Sequence, residues 1–308
     1  MREILVLANR TLGGASLLEA VREHASSGDV RFRLVVPRTP PSAGLVVYEE
    51  AVRESAQARV DLALSLLAED GIQATGEVGD PDPFLATMDA VAEHRPERII
   101  VSTHPAAHSG WLRRDLIERI ENASGLPVEH VVVDLEHEGL PFRVTLVLAS
   151  KTLGGDELLG RLQEKAAHGQ RHLFIVVVPQ QDGSGRAWQQ ARTRLATMLD
   201  RLNAAGLVSS GMVGDPDPYT AAVNALELFR VDDVVISTLP DARSGWMRAN
   251  LIGRVRSATA APVEHVEVAL TATPTPTPPP STRSSCSGST TRSSRRCRTP
   301  ARGGCART

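Results

Sequence analysis

The chain has 308 residues, 42% of them hydrophobic, with a formal net charge of −2, which is typical of a globular protein with room for two domains. Its three cysteines lie near the C-terminal end, at positions 286, 297 and 305, so the preceding residues hold no thiol for a disulfide, a metal cage or a catalytic nucleophile. Because the sequence has neither the roughly 20 consecutive apolar residues of a membrane span nor a signal-peptide pattern at its start, we expect a cytoplasmic protein.

The first half of the sequence alternates between short apolar runs and longer amphipathic segments. Apolar residues recur at helical spacing in the longer segments, as at Leu17, Leu18 and Val21. The short runs are rich in Val and Ile and predict parallel strands that are covered on both faces. They are residues 4–8, 33–36, 72–78, 99–102 and 128–133.

The second half repeats the first half. Five sequence landmarks return in the same order: TLGG at 11–14 and 152–155, VGDPDP at 78–83 and 213–218, ST at 102–103 and 237–238, SGW at 109–111 and 244–246, and PVEHV at 127–131 and 262–266. The predicted strands return as well, at residues 144–149, 173–178, 207–213, 234–237 and 263–268. We therefore predict two tandem Rossmann-like α/β units, residues 1–136 and 143–268, each with helices on both faces of a parallel sheet.

Residues 269–308 have a different composition. A Thr/Pro alternation is followed by Ser, Thr and seven arginines without any acidic residue, so this tail carries +7 and the rest of the chain −9. Because it has almost no large apolar side chains, we predict that the tail is disordered. Two interpretations are open: an electrostatic arm for nucleic acid or another acidic partner, and a nonfunctional, out-of-frame extension. Apart from this tail, we expect no nucleic-acid or membrane partner.

In this architecture ligands bind beyond the carboxyl ends of the strands, where the winding of the sheet reverses. The glycine turns at 9–14 and 150–155 follow the first strand of each unit. They can present backbone amides to an anion near a helix start. Steric necessity is the competing interpretation, since neither a G-x-G-x-x-G nor a P-loop pattern occurs.

The Gly-Asp-Pro turns at 79–83 and 214–218 precede the third helix of each unit. We interpret Asp80 and Asp215 as helix caps, with a proline at the first helical position. Paired carboxylates can also serve acid/base catalysis, but no nucleophile is evident beside them.

The exits of the fourth strands carry hydroxyl groups and then an arginine. Ser109 and Ser244 are predicted N-caps, which places Arg113 and Arg248 near the first helical turn, where a cation opposes the helix dipole. The compensating charge is either a ligand phosphate or a carboxylate of the protein, such as Asp80. We interpret the tryptophans of the two SGW landmarks as packing anchors rather than stacking platforms.

These segments together define a candidate ligand site at the exits of the first and fourth strands. In the first unit it comprises Arg10, Thr11, Gly13, Gly14, Ser102, Thr103, Ser109, Gly110 and Arg113. In the second unit it comprises Lys151, Thr152, Gly154, Gly155, Ser237, Thr238, Ser244, Gly245 and Arg248. No metal is expected, because His130 and His265 have their neighbouring glutamates on the opposite strand face.

The tandem units resemble the universal stress protein family over residues 1–268. The resemblance rests on the apolar first strand, the Gly-Asp-Pro turn, the hydroxyl exit of the fourth strand and the Pro-Val strand that closes each unit. It implies five-stranded parallel sheets in the order 3-2-1-4-5, with the units paired through their fifth strands as an internal pseudo-dimer.

Many members of this family bind ATP through a G-x-x-G motif followed, nine residues later, by G-S or G-T. This chain has residues 102–106 and 237–242 at the first glycines, and only Gly253 remains at the second position. Asn9 and Ser150 stand where many relatives have an acidic residue. The resemblance therefore adds Gly253 to the candidate site.

Three functions are compatible with these features. The first is a noncatalytic stress-response protein that binds ATP, another adenine nucleotide or another phosphate-bearing ligand. The second is a structural or interaction module with empty crevices, and the resemblance also leaves a homo-oligomer open. The third, an enzyme that cleaves adenine nucleotides at the α-phosphate, requires a phosphate-binding turn that residues 9–14 do not supply.

Overall fold

The computed structural model describes residues 2–40, 49–105, 115–138, 140–167, 169, 171–240 and 245–269, without the side chains of residues 247 and 248. The predicted tail lies outside the described residues, except for residue 269. We call residues 2–138 the first repeat and residues 140–269 the second repeat. Both belong to one compact unit.

Each repeat contains a parallel sheet of five strands. The first sheet comprises β1 (Arg2–Leu7), β2 (Val30–Pro37), β3 (Ala74–Gly79), β4 (Arg98–Thr103) and β5 (Val128–Val132). The second comprises β6 (Arg143–Leu148), β7 (His172–Pro179), β8 (Val208–Gly214), β9 (Asp233–Thr238) and β10 (Val263–Glu267). The orders β3-β2-β1-β4-β5 and β8-β7-β6-β9-β10 confirm the predicted fold class and the 3-2-1-4-5 arrangement in both repeats.

Helices alternate with the strands, as predicted. The first repeat contains α1 (Ala15–Ser26), α2 (Glu49–Glu69), α3 (Pro83–His94), α4 (Leu116–Ser124) and α5 (Leu135–Glu138). The second contains α6 (Asp156–Ala166), α7 (Gly185–Ala204), α8 (Pro218–Leu228), α9 (Gly245–Arg248) and α10 (Leu251–Ala258). Within the described ranges, none of the helices combines the length and the apolar character needed to cross a bilayer.

The helices cover both faces of each sheet. In the first sheet, the strand residue Val6 packs with Leu17 of α1, whereas Leu7 packs with Ile120 of α4 on the opposite face. This alternation follows from the two-residue period of a strand. In the second sheet, α6 and α7 cover one face, and α8 and α10 cover the other. The central strands are therefore buried on both faces, which explains their continuous apolar runs.

The helix α2 joins the two repeats because it is apolar on two faces. Ala56 and Val60 pack in the first repeat, whereas Leu62 and Leu66 belong to the core of the second sheet. A helix that is apolar on more than one face is buried between neighbouring layers. Polar contacts accompany the packing, since Ser210 of β8 donates a hydrogen bond to Asp61 at 3.2 Å.

The expected pairing of the repeats through their fifth strands is wrong for the described residues. β5 and β10 are the outer strands of their own sheets, and they pair with β4 and β9, respectively. The repeats instead meet where α2 packs against β8. The apolar residues on the second face of α2 explain the difference, because only contact with another layer removes them from water.

The third helices begin two residues later than predicted. Asp82 and Asp217 are the N-caps of α3 and α8, and each is followed by a proline at the first helical position. Asp80 and Asp215 instead accept the backbone amides of Asp82 and Asp217, both at 2.8 Å. Both Asp-Pro pairs of the motif satisfy the sequence rule for a cap, so the sequence alone does not decide between them. The turn packs closely on the helix, since a Cβ added at Gly79 would lie only 2.6 Å from the Cβ of Ala86.

Candidate functional site

A crevice of about 290 Å³ lies at the carboxyl ends of the second sheet. It opens between β6 and β9, where the connections of the sheet reverse direction, which is the usual ligand position of this architecture. Four strand exits, those of β6, β7, β8 and β9, and the start of α9 supply its walls. The lining residues are Ser150, Lys151, Thr152, Pro179, Gln180, Gln181, Pro216, Ser237, Thr238, Leu239, Gly245 and Trp246.

One hydrogen bond fixes the two strand exits that the sequence predicts to converge. The buried Thr152 hydroxyl donates to the backbone oxygen of Ser237 at 3.1 Å. The first repeat has the same bond, from Thr11 to the Ser102 oxygen at 3.4 Å. The exits of the first and fourth strands therefore lie side by side in both repeats.

The crevice of the second repeat contains buried polar atoms without partners. Ser237 Oγ and Gln180 Oε1 have no hydrogen-bond partner within the described part of the chain, although each residue is at least 96% buried. A buried polar group that lacks a partner costs roughly 1–3 kcal/mol. A ligand or ordered water that reaches these atoms removes that cost.

The rim of the crevice carries positive charge. Lys151 lines it and is exposed. Arg194 of α7 reaches the same turn, where it donates a hydrogen bond to Ser150 Oγ at 3.2 Å. A negatively charged ligand group is therefore favoured at the β6 side of the crevice.

The glycines of the two turns have a steric role. A Cβ added at Gly14 would lie 2.2 Å from Cγ1 of Val133, and one added at Gly155 would lie 2.1 Å from Cγ1 of Val268. These contacts exclude a side chain, because the turn packs on the residue that follows the fifth strand. The packing fully explains Gly14 and Gly155.

The first helix of neither repeat begins with surroundings that favour a bound anion. The amide and hydroxyl of Ser16 in α1 donate to the Glu138 carboxylate, at 3.0 and 2.7 Å. Burial favours a higher pKa for Glu138, but the hydrogen bonds from Ser16 and from the Asp134 amide outweigh it and hold that pKa below its ordinary value. The first turn of α6 contains Asp156 and Glu157, which repel an anion.

The first repeat uses its strand exits differently. A Cβ at Gly13, which has a φ of +87°, would lie 2.7 Å from the ring of Phe142 in the second repeat. Arg10, at the position that corresponds to Lys151, lines a cavity between the repeats. Arg38, which corresponds to Gln180, forms an ion pair with Glu49 at 2.6 Å.

The hydroxyls of Thr103 and Thr238 pair with histidines of the fifth strands. Thr103 Oγ1 lies 2.8 Å from Nε2 of His130, and Thr238 Oγ1 lies 2.8 Å from Nε2 of His265. Burial lowers the pKa of His130 below its ordinary value. In the described ranges, no three His, Cys, Asp or Glu side chains are grouped so that they could hold a metal ion.

The structure brings together part of the predicted site. Lys151, Thr152, Ser237, Thr238 and Gly245 line one crevice. Gly253 lies within α10, where an added Cβ would be 2.7 Å from the side chain of Asn250. Ser109, Gly110, Arg113 and Ser244 lie outside the described residues, as does the side chain of Arg248.

Sequence reasoning missed the wall that the second strand supplies. Pro179 ends β7, Gln180 and Gln181 follow it, and all three line the crevice. A signal was present, because the Val-Val-Pro ending at residues 35–37 returns at residues 177–179. Trp246 combines the predicted packing role with a position in the crevice wall.

Comparison with known proteins gives similarity to solved structures alone, since no family model and no curated protein matches the chain. A universal stress protein from Archaeoglobus fulgidus is 14% identical over 86% of this chain and 96% of its own, with a TM-score of 0.32. A functionally unknown protein from Pseudomonas aeruginosa is 17% identical over 87% of this chain and 93% of its own, with a TM-score of 0.31. The assignment of the fold rests on the strand order of the two sheets rather than on these similarities.

Proposed function

We propose that the protein is a noncatalytic, cytoplasmic stress-response protein whose second repeat binds an adenine nucleotide or another small phosphate-bearing ligand. The observation that carries this proposal is the crevice between β6 and β9, with its unpartnered buried polar atoms. A volume of about 290 Å³ is at the lower end of the range for ligand pockets, which suits a mononucleotide-sized ligand.

The chemistry of the crevice matches the two ends of such a ligand. Lys151 and the unpartnered Ser237 hydroxyl are suited to phosphate oxygens, whereas Thr152 already donates its hydroxyl proton to the Ser237 backbone oxygen. Trp246 and Leu239 supply apolar surface for a base or another flat group. The amide of Gln180 can exchange hydrogen bonds with the polar edge of that group.

A binding role is supported by the environment of the crevice hydroxyls. Ser237 Oγ has no hydrogen-bond partner in the described ranges, so no base among those residues activates it as a nucleophile. The histidine beside Thr238 lies on the edge strand β10. We therefore propose that the ligand is held and released without chemical change.

Calorimetric titration of the full chain with ATP, ADP, AMP and cyclic AMP tests this proposal. Because Lys151→Glu reverses the charge at the proposed phosphate position, we expect it to weaken binding at least tenfold. Ser237→Ala should weaken binding about fivefold, whereas Ser102→Ala, the matched change in the first repeat, should leave the affinity unchanged. Equal effects of the two serine variants would contradict assignment of the ligand to the second repeat.

The same titrations separate the alternatives. Tryptophan fluorescence should change on binding, and Trp246→Phe should remove most of that change. Absence of binding at millimolar concentrations of every nucleotide would favour a structural module. Release of AMP or pyrophosphate beyond one equivalent per protein would show an enzyme instead.

A further inference from the structure

A second cavity, of about 50 Å³, lies between the two repeats and outside the crevice. Its apolar walls come from both repeats and include Leu62 and Leu66 of α2 and Phe142 and Phe229 of the second repeat. Three arginines also line it: Arg10, Arg59 and Arg230. Among the described residues that line it, there is no aspartate and no glutamate.

The side chain of Arg59 is the unusual feature of this cavity. Arg59 lies on α2 and is 4% exposed. Its Nε, Nη1 and Nη2 atoms are buried and have no hydrogen-bond partner among the residues that the structure describes. Its guanidinium carbon lies 5.9 Å from the centroid of the Phe229 ring, which is a long cation–π contact.

Arg59 remains a cation in this environment. Burial, together with the nearby charge of Arg10, lowers the pKa of Arg59 to about 10. The guanidinium is therefore protonated at neutral pH, and the charge of Arg10 adds to it rather than balancing it. A buried charge without a partner is strongly unfavourable, so this interface requires a negative group that the described residues do not supply.

The rest of the sequence offers little compensation. Outside the described ranges, Asp241 is the one acidic residue of the chain, because the tail and the other undescribed segments contain none. A ligand remains as the source of negative charge. The volume of the cavity limits its size, since each water-sized group needs roughly 10–15 Å³ of such space.

We propose that this cavity binds a small, planar, singly charged oxyanion, such as a free carboxylate, nitrate or bicarbonate, on Arg59. A planar oxyanion matches the flat fork of a guanidinium, which binds such groups through two parallel hydrogen bonds. The space of about 50 Å³ corresponds to three to five water-sized groups, at roughly 10–15 Å³ each. The anion neutralises Arg59 and stabilises the contact of the two repeats, because α2 packs on both of them.

Thermal unfolding of the full chain in the presence of small anions tests this proposal. Sodium formate or sodium nitrate replaces sodium methanesulfonate at constant ionic strength, so that charge is kept while shape changes. We expect a saturable rise in Tm of about 2 to 4 °C at ten times the dissociation constant. The variant Arg59→Met should lose this rise, and Arg53→Met, an exposed change on the same helix, should keep it.

The outcomes are decisive in either direction. A rise that persists unchanged in Arg59→Met, or the absence of a saturable rise in the wild-type protein, would overturn the proposal. An Asp241→Asn variant that removes the anion dependence while Arg59→Met retains it would also overturn it. Should Arg59→Met fail to fold, a crystal structure in nitrate decides, because planar density within hydrogen-bond distance of Arg59 supports the site and water alone refutes it.

Discussion

The carboxyl ends of the two sheets begin from the same sequence pattern and reach different surroundings. At the first sheet, Gly13 packs against Phe142 of the second repeat, and Arg10 lines the cavity between the repeats. At the second sheet, a Cβ at Gly154 would meet nothing within 4 Å, and Lys151 lines an open crevice. Duplication therefore preserved the turn, while the packing of the repeats buried Gly13 in one copy and left Gly154 exposed in the other.

The difference teaches that matching residues in a duplicated protein need not share a role. The hydrogen bond from the turn threonine to the fourth strand is present in both repeats, since it holds each sheet end together. The basic residue of the turn is not used alike, because its surroundings come from outside its own repeat. Residues that serve one sheet stay equivalent, and residues that face the other repeat diverge.

The largest effect is expected from Leu66→Ala, which removes an apolar contact between α2 and the second sheet. Leu66 is 2% exposed and packs in the core of the second sheet. Loss of a buried leucine side chain costs about 2–5 kcal/mol of the free energy of unfolding. Urea denaturation measures it, with Arg53→Ala at an exposed position of α2 as the control. A cost below that of the control would show that α2 does not hold the repeats together.

A matched pair of glycine substitutions tests the comparison directly. Gly13→Ala should lower the free energy of unfolding by about 1–3 kcal/mol, because Gly13 has a φ of +87° and contacts Phe142. Gly154→Ala should be neutral or stabilise the protein by up to about 1 kcal/mol, because its site is open and its φ is not left-handed. Denaturant curves of the two variants measure the difference. Equal costs would mean that the two sheet ends are equally covered.

Much of the fold could be predicted from the sequence. Parallel strands covered on both faces are continuous apolar runs, so residues 99–102 locate the core of β4 (Arg98–Thr103). The start of α3 (Pro83–His94) is harder to predict, because Asp80 and Asp82 both precede a proline and both satisfy the sequence rule for a cap.

The docking of the repeats could not be predicted by reasoning on one repeat at a time. The second apolar face of α2, which includes Leu62 and Leu66, is visible in the sequence, but the surface that covers it is not. The crevice follows the same logic. Its hydroxyls come from strand exits that the sequence identifies. Gln180 follows β7 and joins the site because β7 lies next to β6 in the sheet.

Removal of the helix caps should affect the two repeats alike. Asp82 accepts the Phe84 amide at 2.9 Å, and Asp217 accepts the Thr220 amide at 3.1 Å. Asp82→Ala and Asp217→Ala should each cost about 1 kcal/mol of the free energy of unfolding. Urea denaturation compares them with Asp82→Asn and Asp217→Asn, which retain a capping oxygen. A cost confined to one repeat would show that the equivalence of the third helices is incomplete.

The smallest effect is expected from Glu54→Gln, which probes the contact of α2 with the second repeat by pH. Burial raises the pKa of Glu54 above its ordinary value, although the charge of Arg192 opposes this. A raised folded-state pKa means that the folded protein binds the proton of Glu54 more tightly than the unfolded chain does. The stabilisation that comes from this proton is complete below the unfolded-state pKa, and it is lost as the pH rises through the folded-state pKa. The partner Arg192 is 58% exposed, and its ion pair with Glu54 at 3.3 Å compensates only weakly for the cost of burying the carboxylate.

Glu54→Gln should therefore raise the free energy of unfolding at pH 7.5 by less than about 1 kcal/mol, and the gain should vanish below about pH 4.5. Thermal melts across this pH range measure it, with the exposed Glu23→Gln of α1 as the control for the loss of one negative charge. A loss of stability at pH 7.5 would mean that the ion pair with Arg192 outweighs burial, and that this contact between the repeats is held by charge.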